Sequence, residues 1–121
     1  MCAASVFIID EHESVRQALA QRLSRAGAFE VIGHTADVND VVGRITKTAP
    51  DIVLVEIKRS DGMGLEILRQ IAALPNAPKL VVLTSYPTAW EEKAARRAGA
   101  SSYMLKNIDS EELIRQISDL L

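Results

Sequence analysis

Cysteine occurs once in these 121 residues, at position 2, so no internal disulfide can hold the chain together. Aromatic residues make up only 4% (Phe7, Phe29, Tyr86, Trp90 and Tyr103), which leaves Ile, Val, Leu and Ala to build the interior. Such a composition favours layered α/β packing over an aromatic-rich β-sandwich. Long apolar runs are missing as well: those around Val6–Ile9 and Leu80–Leu83 fall far short of the roughly 20 residues of a membrane span. The first of them is closed by Asp10 and is too short for a signal peptide. Nor is there a dense basic block. Fourteen Lys and Arg face 16 Asp and Glu, net −2, whereas a domain that grips nucleic acid by its phosphates needs a basic face. We therefore expect a soluble, cytoplasmic chain with no membrane association and no direct nucleic acid binding. What is present is material for a core: 48% hydrophobic and 25% charged residues, in a length typical of one domain, exclude a disordered tail. Residues 1–121 are read as one domain.

Short β-type runs alternate with helix-type stretches. Ala4–Ile9 is a continuous apolar run of the kind buried on both faces of a parallel sheet. A helix over about Glu13–Ala26 follows, with Gly27 where a helix end wants a residue free to take positive φ. The second strand is Phe29–Gly33, and Val38, Val41, Val42 and Ile45 mark a second helix with Asp37 as its expected N-cap. Pro50-Asp51 precedes a third strand, Ile52–Ile57. A third helix through Leu65, Leu68, Ile71 and Ala72 ends before Pro75. Lys79–Thr84 is the fourth strand, Pro87–Ala98 the fourth helix, Ser101–Leu105 the fifth strand and Ser110–Leu121 the fifth helix. Asp109 and Glu112 frame the start of that last helix as a capping box, with Ser110 as the other candidate cap. Five consecutive β-α units predict a doubly wound α/β fold: a parallel sheet, helices on both faces, right-handed crossovers. Ligands of such folds bind beyond the carboxyl ends of the strands, where the strand order reverses.

At those ends stand Asp10 and Glu11, Glu56, Thr84 and Lys106. Carboxylates gathered in one place repel one another unless a cation shares the site. Oxygen ligands of this kind suit Mg²⁺, while a hydroxyl and an ammonium suit the oxygens of a phosphoryl group. The constellation points to a site for a metal plus a phosphoryl group.

Over its whole length the chain resembles the receiver domain of bacterial two-component response regulators, the CheY-like domain. Ile8-Ile9-Asp10-Glu11-His12 is similar to that family's acidic pair and Pro50-Asp51-Ile52-Val53-Leu54-Val55-Glu56 to its acceptor strand. Val82-Leu83-Thr84-Ser85 matches its threonine strand, and Ala98-Gly99-Ala100-Ser101-Ser102-Tyr103-Met104-Leu105-Lys106 its lysine strand. The wording of Asp10-Glu11-His12 and Ala98-Gly99-Ala100 is most similar to receivers that carry a C-terminal helix-turn-helix domain. The resemblance implies a five-stranded sheet of order 2-1-3-4-5. It also implies Mg²⁺ held by Asp10, Glu11, the residue at position 56 and the backbone carbonyl of Lys58. Thr84 and Lys106 would bind phosphoryl oxygens and Tyr103 would be an aromatic that turns inward. The implied partners are proteins: a second copy through the fourth helix, fifth strand and fifth helix (the α4-β5-α5 face), or a C-terminal DNA-binding effector domain.

One departure matters. The acceptor position holds Glu56 where the family has Asp, and Arg59-Ser60 stands where a Met-Pro pair is common, although Gly64-Leu65-Glu66 restores the pattern. A glutamate carboxylate reaches roughly 1.5 Å further out, and a misplacement of about 1 Å can cost on the order of 10²-fold in rate. Ordinary phosphorylation at position 56 is not expected, and Mg²⁺ binding is expected to be weakened or lost. Two readings follow. In one, Glu56 reaches Lys106 or Thr84 and imitates the phosphorylated form with about one negative charge against a phosphate's −1.5 to −2. In the other, a Glu56–Lys106 pair merely fills the pocket and the domain is a module without a switch. Neither is an enzyme. A Mg²⁺-dependent phosphoryl-transfer or hydrolysis enzyme using Asp10 as nucleophile is the alternative, but such enzymes want a second Asp two residues later, where His12 stands. A flavodoxin-like cofactor site is excluded by the acids of Asp10-Glu11-His12-Glu13, which would repel a phosphate. The plain readings place Tyr103 in simple packing, Trp90 against its own helix, Arg96 and Arg97 on a solvated helix face, and His12 and His34 outside any metal site.

Overall fold

The computed structural model describes residues 3–121, so Cys2 lies outside the described residues. The elements are β1 (Ala4–Ile9), α1 (Glu13–Arg25), β2 (Phe29–Thr35), α2 (Val41–Thr48), β3 (Ile52–Val55), α3 (Gly64–Ala72), β4 (Lys79–Thr84), α4 (Ala89–Ala98), β5 (Ser102–Leu105) and α5 (Ser110–Asp119). All strand pairs are parallel, and the sheet order is β2-β1-β3-β4-β5. Order reverses between β1 and β3, which places the switch point beside the residues that follow those two strands.

Two apolar layers sandwich the sheet. Val6 and Ile8 face α1 and α5 with Leu19, Leu23, Leu113 and Ile117. The alternating partners Phe7 and Ile9 face α2 and α3 with Val41, Ile45, Leu68 and Ile71. β3 and β4 contribute to both layers in the same alternation, so every residue of β3 is buried. This is why the central strands read as unbroken apolar runs.

Element ends differ from the sequence reading where side chains override the pattern. β2 continues to Thr35, because β1 pairs with it through Ile9↔Thr35. Asp37 does not cap α2. Its carboxylate accepts from Asn39 N at 2.8 Å in a local turn, and the preceding cap position is Asp40 in a left-handed conformation (φ 61°). α4 starts later than Pro87, since Thr88 is its N-cap and accepts from Glu91 N. Asp109 caps α5 through Glu111 N and Glu112 N. The reciprocal half of a capping box is missing, because the Glu112 carboxylate bonds Arg115 and Gln116 instead. Gly27 does take positive φ, 71°. Gly64 is required for another reason: a Cβ there would stand 2.0 Å from the Ile57 carbonyl oxygen, so only glycine lets α3 begin this close to the β3–α3 loop.

Candidate functional site

Backbone geometry sets the site before any side chain does. One residue beyond its strand, Asp10 N donates to Thr35 O (3.1 Å), Glu56 N to Ile9 O (3.0 Å) and Lys106 N to Thr84 O (2.9 Å). The ladder thus runs on past the strand ends and holds three polar residues in register along one edge. Asp10, Glu56 and Thr84 are buried.

Lys106 joins the two acids. Its ammonium lies 2.6 Å from Asp10 Oδ2 and 3.1 Å from Glu56 Oε1, and among the described residues it is the one partner that the buried Asp10 oxygen has. Burial pulls the Lys106 pKa down, but the hydrogen bond to Asp10 and the charges of Glu56 and Asp10 outweigh it and hold the amine above the ordinary lysine value. The other oxygens are engaged as well: Asp10 Oδ1 accepts from His12 N (2.9 Å) and Glu56 Oε2 from Lys58 N (3.1 Å). A further clamp secures the lysine's own backbone. The Arg22 guanidinium on α1 donates to Lys106 O (3.1 Å), Ser110 Oγ (2.9 Å) and Ile108 O.

Glu11 stands apart from this cluster. Its carboxylate accepts from Ser60 N (2.7 Å) and Ser60 Oγ (2.5 Å), bonds that lower its pKa, the side-chain one most. Two of the three acids read from the sequence therefore share a cation, and the third is turned onto the β3–α3 loop. Among the described residues no group of three or more His, Cys, Asp or Glu is arranged to hold a metal ion. Magnesium requires oxygens directed at one point. Here the oxygens of Asp10 and Glu56 that face the pocket face the Lys106 ammonium.

Thr84 turns its hydroxyl to other partners than Glu56. Its hydroxyl accepts from Tyr86 N (3.3 Å) and lies 3.5 Å from the Lys58 ammonium. Tyr103 is half-buried and turned towards the β4–α4 loop, where its hydroxyl donates to Glu91 Oε1 (2.6 Å) and accepts from Thr88 N (3.2 Å). Burial, and then the bond to the Glu91 carboxylate, push the Tyr103 phenol up to about 12. Because the folded pKa is raised, this group supports the fold at pH values below its unfolded pKa of about 10. That support is lost as the pH rises towards 12. Tyr103→Phe is accordingly expected to flatten the decline in unfolding stability between pH 10 and 12, followed by urea denaturation.

Sequence reasoning missed three residues here. Glu91 is a buried acid on α4. The Lys58 side chain, as opposed to its carbonyl, reaches Thr84, Tyr86 O and Glu91. Arg59 is buried too, donating to Ala36 O (2.6 Å) and paired with Asp61 (3.0 Å). Lys58 and Arg59 lie in a loop with no apolar periodicity to mark them as interior, whereas Glu91 shares the buried face of α4 with Ala95 and Ala98, a helical spacing that could have found it. Trp90, expected against its own helix, is 73% exposed. His12 and His34 take part in local bonds, to Asp10 and from Arg16. Arg96 pairs with Glu92 on the solvated face of α4.

Asp10, Glu56 and Lys106 thus meet at the switch point of a doubly wound sheet of order β2-β1-β3-β4-β5, with Thr84 and Tyr103 on the next two strands. The comparisons are specific. Residues 6–118 match the response regulator receiver domain, and the chain belongs to that family. It is 31% identical over 115 residues to the DNA-binding transcriptional activator DevR/DosR of Mycobacterium tuberculosis, which covers 95% of this chain and 53% of that protein. It is 34% identical over 108 residues to the transcriptional regulatory protein LiaR of Bacillus subtilis, covering 89% of this chain and 51% of that one. The chain thus spans about half the length of these relatives. Among solved structures, a LuxR-family two-component response regulator from Aurantimonas superposes with a TM-score of 0.89 at 26% identity, over 98% of this chain and 85% of that one. A LuxR-family DNA-binding response regulator from Staphylococcus aureus gives 0.85 at 26%, over 96% and 97%. The chain is a receiver domain of the two-component signal-transduction system.

Proposed function

We propose that this receiver works without a phosphoryl switch. Glu56 takes the acceptor place, Lys106 neutralises it internally, and the domain acts by protein contact and not as an enzyme. The observation that carries this reading is the Lys106 ammonium seated between Asp10 Oδ2 at 2.6 Å and Glu56 Oε1 at 3.1 Å. Imitation of a phosphoryl group is less well supported, because the hydroxyl such a group would engage, Thr84 Oγ1, serves Tyr86 N and Lys58 instead. The contact surface is the α4-β5-α5 face, used either to pair with a second copy or to set the state of an effector domain. Relatives named as DNA-binding and transcriptional regulators, twice this chain's length, support a transcriptional effector. The site of action is the cytoplasm; no helix among the described residues is long and apolar enough to cross a membrane.

Incubation with Mg²⁺ and acetyl phosphate, followed by intact mass measurement, is expected to leave the mass unchanged. A phosphoryl adduct at Glu56 would overturn the reading. Glu56→Gln is expected to keep the oligomeric state of the wild type, whereas a change in that state would favour imitation of the phosphorylated form.

A further inference from the structure

A lysine on the β3–α3 loop reaches across to the far side of the pocket. The Lys58 ammonium lies 3.4 Å from Glu91 Oε2 and 3.5 Å from Thr84 Oγ1 and meets the Tyr86 carbonyl oxygen. The ammonium therefore donates to the end of β4 and to the β4–α4 loop and pairs by charge with Glu91 in the first turn of α4. The Tyr86 ring adds a fourth contact, its centroid 5.8 Å from the ammonium. Glu91, the carboxylate at the end of this chain of contacts, is buried, with a 9% exposed side chain. Its second oxygen holds the Tyr103 hydroxyl at 2.6 Å. The backbone of Lys58 is fixed in turn, its N–H donating to Glu56 Oε2.

We infer that the Lys58 side chain is a latch: it ties the β3–α3 loop to the β4–α4 loop and the start of α4 and, through Glu91, sets the position of Tyr103. It extends the function proposed above by naming the group that fixes the α4–β5 surface where no phosphoryl group arrives. The amides that report on it are those of Tyr86, Thr88, Glu91 and Glu92, which donate to Thr84 Oγ1, Tyr103 OH, Thr88 Oγ1 and Thr88 O. Without the ammonium, the buried Glu91 carboxylate keeps, among the described residues, only the Tyr103 phenol as partner, and the segment has less reason to stay closed. The exposed Tyr86 and Trp90 hang from this segment, so the latch also governs how both rings are presented.

Hydrogen exchange on the full chain tests this with Lys58→Met, which keeps a flexible unbranched stem and removes the charge. Exchange at residues 85–92 is expected to quicken by about tenfold or more while the amides of β1 and β3 keep wild-type rates. Glu91→Gln should do much the same, and the double variant should add little to either single one. Lys58→Arg, which retains the charge, should recover part of the protection and shows that the loop still folds. Unchanged exchange at 85–92 in Lys58→Met, a rise spread over the whole sheet, or additive effects in the double variant would each overturn the latch. A phosphoryl adduct on the wild type would overturn the proposed function alone, and unchanged exchange in Lys58→Met the latch alone.

Discussion

Lys106→Met is expected to cost the folded state about 3–5 kcal/mol, the usual penalty for removing one member of a buried ion pair. The loss is large because two carboxylates depend on the one ammonium. Asp10 is 2% and Glu56 7% exposed, and the Asp10 oxygen that faces Lys106 has no other partner among the described residues. Methionine fills the same volume, so the charge and not the packing is what changes. The sign of the pH response separates this account from a packing defect. Two buried negative charges left without their cation repel one another, so the stability gap between variant and wild type should narrow as the pH falls into the acid range. Urea unfolding of both proteins at neutral and mildly acid pH checks this, and a variant that weakens in parallel with the wild type would speak against it.

Glu56→Asp is the second change with a large expected effect. Shortening the side chain withdraws the carboxylate by roughly 1.5 Å from its position 3.1 Å from Lys106 Nζ, and so opens the space between Lys106 and Thr84. If placement of the acid is what bars transfer, a gain of about 10²-fold or more in labelling by acetyl phosphate is expected. The readout is the fraction of protein that carries one added phosphoryl group with time in a Mg²⁺ buffer. A variant as inert as the wild type would shift the barrier from Glu56 to the rest of the pocket, with Glu11 held by Ser60 as the first suspect.

The parts of this molecule that were legible from the sequence are those governed by periodicity. Apolar runs such as Ile52–Ile57, of which Ile52–Val55 is strand, located the strands, and the spacing of Leu65, Leu68 and Ile71 located α3, because burial on a regular element leaves a repeat behind. The residues at the strand ends followed from the strands themselves, while the expectation that Glu56 would reach Lys106 or Thr84 rested on the family resemblance, and it is Lys106 that it meets. What escaped was decided by side chains competing for local partners. Ser60 drew Glu11 off the pocket. Asp37 satisfied a turn of its own in place of a helix, and Lys58 crossed to an acid 33 positions away on another element. Such pairings have no period and no fixed spacing, so a linear reading has nothing to detect them by.

Arg22 has a consequence for mechanics. One guanidinium grips the backbone carbonyls of Lys106 and Ile108 together with the Ser110 hydroxyl, so the first helix and the stretch leading into the last one form a stiff unit. A protein that seized α1 from outside would tug directly on the strand end carrying the pocket's ammonium, a transmission rod to the site that bypasses α4 altogether.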